Sequence, residues 1–166
     1  MMNNTKDFLD QFVLEFTSET IPHTILGRTF VQIPEELLEY QNKISYDLFT
    51  CGLFLGEKKR EFTPSSSLLN IISTKTNRKV FVNEKTAWLF LCGRDIFGDG
   101  IVKANVTSGM VLIQNERDEN LGYGIIVDVL SKKNKVVIQN KFDKGDFLRR
   151  EHSGKKKPVG KEKRQG

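Results

Sequence analysis

Residues 79–102 read KVFVNEKTAWLFLCGRDIFGDGIV. The order is strand, short apolar helix, glycine-rich turn, strand. Lys79-Val80-Phe81-Val82 is short and β-branched, which predicts a strand. Asn83 follows as an N-cap, and Glu84 puts a carboxylate in the first helical turn, where the helix dipole favours it. Residues 87–92 are apolar on nearly every side, so this helix is expected to be buried on most faces, plugging one end of a barrel. Gly93 fits a left-handed C-cap. Gly98 and Gly100 keep the next turn bare, so the backbone can approach a ligand closely there, and Lys85 and Arg94 stand near enough to face a phosphate. Spacing alone favours the plainer alternative, that these glycines only make tight turns.

Downstream of this stretch the chain is strand after strand. Residues 101–106, 110–114, 124–129 and 136–139 are β-rich, separated by turn material at 107–109, 115–120 and 131–135. Short strands around one helix predict a small barrel. Upstream, residues 12–16 and 24–33 read as strands, with Gly27-Arg28 as a bend. Pro34 suits a first helical position, so residues 35–44 read as a helix and 46–55 as a further strand. Leu68, Leu69, Ile71 and Ile72 cluster as on a short amphipathic helix. The polar stretch 73–78 marks the boundary, giving a domain at 1–75, a second at 76–152 and a basic tail at 153–166 that is expected to be disordered.

Charge is unevenly placed. The chain of 166 residues has a formal net charge of +5. Eight cations and two anions lie from Arg149 onward, a surplus of six, which leaves the rest at −1. The body is nearly neutral and the basicity is an appendage, a form suited to a polyanion, nucleic acid first, although a plain solubility tail has the same composition. Cys51 and Cys92, the only cysteines, sit in apolar runs and are expected to be buried free thiols. No secretory signal is visible and no apolar run approaches membrane-spanning length, so an intracellular, cytoplasmic protein is expected, with no membrane partner.

The chemistry of catalysis is hard to find. His23 and His152 are the only histidines, and neither stands at zinc-like spacing from Cys51 or Cys92, so no metal site is expected. Gly122-Tyr123-Gly124 begins like a dinucleotide loop but lacks the third glycine and the following helix. Asp95 and Asp99 read as shaping the glycine turn, and Asp143 and Asp146 as making the turn before a last strand. No catalytic residue, cofactor or small-molecule substrate is assigned.

The strand–helix–glycine-turn opening at residues 79–102, with DKGDFLRRE at 143–151, resembles a PUA domain, a small RNA-binding β-barrel. The whole layout, from about Phe12 to Glu151, resembles the Nip-seven type of ribosome-biogenesis factor, of archaeal character. The resemblance is carried by Thr50-Cys51-Gly52-Leu53-Phe54-Leu55-Gly56 and the basic segment at 58–62, by Trp88 to Gly93, by Leu121-Gly122-Tyr123-Gly124 and by Gly145 to Arg150. The family opens with a longer helix than residues 1–11 allow, and its tail is shorter. The resemblance implies an α+β protein, an N-terminal α/β domain followed by a C-terminal PUA-type pseudo-β-barrel. It implies a non-catalytic role in maturation of the large ribosomal subunit, with ribosomal RNA or its precursor bound by the PUA domain and pre-ribosomal assembly proteins by the N-terminal domain. In a eukaryote the location would be nucleolar. RNA contacts are implied on Arg149 and Arg150 of the last strand, extended by Lys155, Lys156 and Lys157, with the loop residues Gly93, Gly98, Gly100, Arg94 and Lys85 beside them. Two alternatives stand beside it: a stable RNA-binding component of the mature ribosome, and an accessory protein of RNA modification.

Overall fold

Met110, Val111, Leu112 and Ile113 are consecutive and all buried, so the strand that carries them is covered on both faces. In this computed structural model the described residues are 5–12, 23–25, 28–31, 36, 39, 40, 43, 52–146 and 149. They form α1 (Thr5–Asp10), β1 (His23–Ile25), β2 (Arg28–Val31), β3 (Leu53–Lys58), β4 (Phe62–Pro64) and α2 (Ser66–Lys75). Next come β5 (Lys79–Val82), α3 (Glu84–Leu91), β6 (Ile96–Phe97), a 3-10 turn (Gly98–Gly100), β7 (Ile101–Ala104), β8 (Gly109–Gln114), β9 (Asn120–Ile126) and β10 (Val136–Asp143). Positions 36, 39 and 40 are helical, as expected for that segment.

Strands β1 to β4 make an antiparallel meander. The other six strands run in the order β6-β10-β9-β8-β5-β7. All these neighbours are antiparallel except β5 and β8, which are parallel with Val80 opposite Ile113. The two edge strands, β6 and β7, are consecutive in the chain and joined only by Gly98–Gly100. A connection that short spans at most about 14 Å, so the sheet must curl until its edges come together. Gly98 and Gly100 allow this closure. A Cβ on Gly98 would lie 2.5 Å from the Lys132 carbonyl oxygen, and one on Gly100 would lie 2.1 Å from the Thr86 hydroxyl oxygen.

Side-chain alternation along β8 divides the interior. Val111 and Ile113 point into a cluster with Val80, Val82, Phe90 and Val137, inside the curl. Met110 and Leu112 point the other way, into a cluster with Tyr123 and residues of the first half, among them Phe8, Leu55, Phe62 and Leu69. Phe8 is central there: its ring lies 5.4 Å from Phe12, 5.8 Å from Phe62 and 5.2 Å, edge-on, from Tyr123. Helix α2 is capped by Ser65, whose hydroxyl oxygen accepts from Leu68 N at 3.1 Å, and buries Leu68, Leu69 and Ile72 against β3 and β9.

Four expectations change. The first strand was expected from Phe12, but Phe12 closes a turn after α1, its N–H bonding Leu9 O at 2.8 Å. Phe8 and Phe12 stand four residues apart, a helical spacing that puts both on one buried face, while 13–16 lie outside the described residues. Helix α3 is not buried on most faces: Ala87 and Phe90 pack inward, whereas Trp88 is 68% and Leu89 41% exposed. Only the stripe touching β9 and β10 is covered among the described residues. Cys92 is likewise exposed, because it caps the helix on its outer side; Cys51 lies outside the described residues. Finally, β10 runs to Asp143 and is itself the last strand described, with helical conformation at 146 and 149. The cause is the Arg149 N–H bond to Gly145 O, 3.1 Å, a helical i to i−4 closure.

Leu112→Ala should cost about 2–5 kcal/mol. Because β8 serves both clusters, urea unfolding should remain one cooperative transition; two separated transitions would show independent halves. Burial, with Glu61 adding to it, raises the Tyr123 hydroxyl to about 12 from the usual 10. The folded state holds that proton more tightly, so the contribution is complete below pH 10 and is lost as pH rises toward 12, roughly 2–3 kcal/mol in all. An ultraviolet phenolate titration should show a late step that Tyr123→Phe removes.

Candidate nucleic-acid interface

Helix α3 begins and ends with local bonds that its sequence dictates. The Asn83 side-chain oxygen accepts from Thr86 N at 2.9 Å. At the other end Gly93 adopts φ +86, Gly93 N bonds Phe90 O at 2.9 Å and Arg94 N bonds Leu89 O at 3.1 Å. This pair of bonds is a Schellman closure, and it requires the left-handed residue.

Side chains from beyond β10's midpoint then cover the remaining carbonyls of that helix end. Asn140 Nδ2 donates to Phe90 O at 3.0 Å and to Asp143 Oδ2 at 3.2 Å. Arg149 Nη1 donates to Leu91 O and to Asp143 Oδ1, the latter at 2.7 Å, while Nη2 donates to Asp143 Oδ2 at 2.9 Å. Asp146 lies 3.7 Å from Nη2. The Asp143 side chain is 4% exposed and that of Arg149 is 38% exposed. A buried carboxylate is thus neutralised by a planar two-point contact, at the helix end where the dipole also favours a cation. Asp143 holds the Arg149 guanidinium above its usual pKa, against a smaller opposing effect of burial. Gly145 lets the chain pass: a Cβ there would meet Leu91 O at 2.0 Å.

These contacts revise the placing of the expected site. Arg149 stands past the last strand, in a helical turn, and its two-nitrogen fork holds Asp143. Arg150, Lys155, Lys156 and Lys157 lie outside the described residues. Lys85, Gly93 and Arg94 are exposed, Lys85 on the outer face of α3 and the other two at its end. Arg149 joins them: a Cβ on Gly93 would lie 3.3 Å from its guanidinium carbon. Gly98 and Gly100 do not present a bare surface; the space beside them is taken by the 130–132 loop and by Thr86. Asp143 is no turn residue but the buried partner of Arg149, and Asp95 accepts from Asn140 N at 2.9 Å.

Two features escaped sequence reading. One is the exposed Trp88, hidden because an apolar run does not say which of its members face out. The other is the Lys132, Lys133 and Lys135 loop, which lies beside Gly98 only through closure of the sheet; Lys132 pairs with Asp128 at 2.6 Å. The run SKKNK was the available signal. Among the described residues no three His, Cys, Asp or Glu side chains gather as a metal site, and no helix is long and apolar enough to cross a membrane.

Residues 78–152 match the model of the UPF0113 PUA domain. The second half of the chain is similar to a UPF0113 PUA domain. The PUA domain is an RNA-binding fold. The UPF0113 protein of Archaeoglobus fulgidus is 33% identical over 105 residues, 59% of this chain and 60% of that one. The match therefore spans only three-fifths of that relative's length. A conserved PUA domain protein from Thermoplasma acidophilum superposes with a TM-score of 0.55 over 88% of this chain and 90% of its own, at 17% identity, which shows a shared fold.

Removing either partner of the buried pair should destabilise the protein. Arg149→Gln and Asp143→Asn should each cost about 1–3 kcal/mol. The doubly substituted Asp143→Asn, Arg149→Gln protein should lose less than the single losses combined. Urea melts of the set measure this, and additive losses would mean that the two side chains do not act together.

Proposed function

We propose that this chain is a non-catalytic RNA-binding protein that acts on precursor ribosomal RNA during assembly of the large ribosomal subunit. The observation that carries RNA binding is the PUA domain at residues 78–152. The outer face of α3, with Lys85 at its start and Arg94 past its end, offers RNA two exposed cations. Arg150 and the lysines 155–157 add charge immediately after, which suits phosphate contacts independent of base sequence.

The assembly role rests on the resemblance of the whole layout to the Nip-seven type. In that reading the first half is an α/β domain that docks other assembly proteins, and the location follows the pre-ribosome, cytoplasmic or nucleolar. The near-neutral charge before Arg149 agrees with a protein-facing rather than an RNA-facing role for most of the body.

Two measurements test this. Deleting residues 153–166 should weaken binding of single-stranded RNA and flatten its salt dependence. At roughly −0.7 per neutralised phosphate, the loss of about four contacts changes the log–log slope by about three. An unchanged slope means the tail does not engage phosphates. In gradient fractionation of cells, the protein should sediment with large-subunit precursors and be missing from finished subunits. Retention on mature ribosomes would instead mark a stable ribosomal component.

A further inference from the structure

Trp88 is the only tryptophan of the chain and it is 68% exposed. A tryptophan can bury 150–250 Å² and usually anchors a core. Here the adjacent inward position belongs to Phe90, 1% exposed, and Trp88 contributes little to the interior. Lys85, Trp88, Leu89 and Cys92 stand at i, i+3, i+4 and i+7, so they share one face of α3, and all are exposed. Lys85 and Cys92 are two helical turns apart, about 10 Å along the axis. Past Cys92 the strip ends at the flat surface of Gly93, over which the Arg149 guanidinium lies, and at the exposed Arg94.

The strip is therefore one flat aromatic and one leucine between cations. We propose that Trp88 is a stacking platform for an unpaired base of single-stranded RNA, with Lys85 on one side and Arg94 on the other holding the adjoining phosphates. This rests on the RNA-binding reading above and deepens it by naming the nucleic-acid form and the residue that reads it. Charge favours this occupant. Asp143 and Arg149 neutralise each other, Asp95 is turned to Asn140 N, and the exposed Lys85 and Arg94 supply a cation at each end of the strip. A protein partner fits less well: its interface would need on the order of 1,000 Å² with a core poor in lysine, whereas the apolar part here is two side chains wide and begins at Lys85. A base needs only a π face and a neighbouring cation. A duplex keeps its bases stacked inside and offers Trp88 nothing to stack on.

As the only tryptophan, Trp88 reports on itself. The full chain is titrated with an oligoadenylate of about twelve nucleotides, a length within the range that small single-strand-binding folds cover. Tryptophan emission should be quenched on binding, and a duplex of the same length should not quench it. Trp88→Ala should weaken oligoadenylate binding about 5- to 150-fold, and Trp88→Phe should restore most of the loss. An abasic oligonucleotide of equal length should bind wild type and Trp88→Ala alike, because it keeps the phosphates and lacks the base. The side chain is outside the core, so both variants should melt like wild type. If labelled oligoadenylate binds tightly but emission is unchanged and Trp88→Ala binds equally well, the stacking proposal is overturned while RNA binding stands. If no RNA binds even to the wild type, both fall.

Discussion

Burial of β8 on both of its faces is the constraint on which the rest depends. A strand with apolar side chains on each side must be covered twice. The curled sheet with α3 supplies one cover, around Val111 and Ile113. The first half of the chain supplies the other, around Met110 and Leu112. Hydrophobic burial of these side chains is worth roughly 1.5–3 kcal/mol each, large against the 5–15 kcal/mol net stability of a typical domain. The N-terminal segment is therefore more than an attachment to the PUA-like half. Phe8, in contact with Phe62 and Tyr123, joins the two halves into one apolar interior.

Closure of the sheet adds a second constraint. Three residues connect its edges, so the turn must pack closely against α3 and the 130–132 loop. Glycine is needed there because backbone carbonyls and the Thr86 side chain occupy the volume that a side chain would take. The glycine-rich turn is thus spent on holding the barrel shut. The exposed cations and the exposed Trp88 lie instead on the outer face of α3 and at its C-terminal end.

At that end the residues that hold the fold adjoin the surface proposed for RNA. Asp143, Asn140 and Arg149 satisfy carbonyls that a helix C-terminus leaves unpaired, and in doing so they anchor the chain that leads into the basic tail. An arginine that neutralises a buried carboxylate is held in place. It offers a nucleic acid a fixed charge rather than a two-nitrogen fork. Lys85 and Arg94 are exposed and, among the described residues, hold no buried carboxylate, so they are better placed to follow a ligand.

By itself the sequence determined the local structure: the Asn83 cap, the Gly93 closure, the strands at 79–82 and 110–114, and the basic end from Arg149. These depend on residue type and near neighbours, through backbone dihedrals, capping bonds and side-chain period, so they are legible one segment at a time. Their order carried the resemblance of the second half to a PUA domain. Only the tertiary structure decided which residues of an apolar run face out. Phe90 and Trp88 are two residues apart and equally apolar, and nothing local tells the core from the surface until β9 and β10 are in place. The pairing of Asp143 with Arg149 and Leu91 is of the same kind. It joins a helix end to a segment more than fifty residues away, and only the closed sheet brings them together.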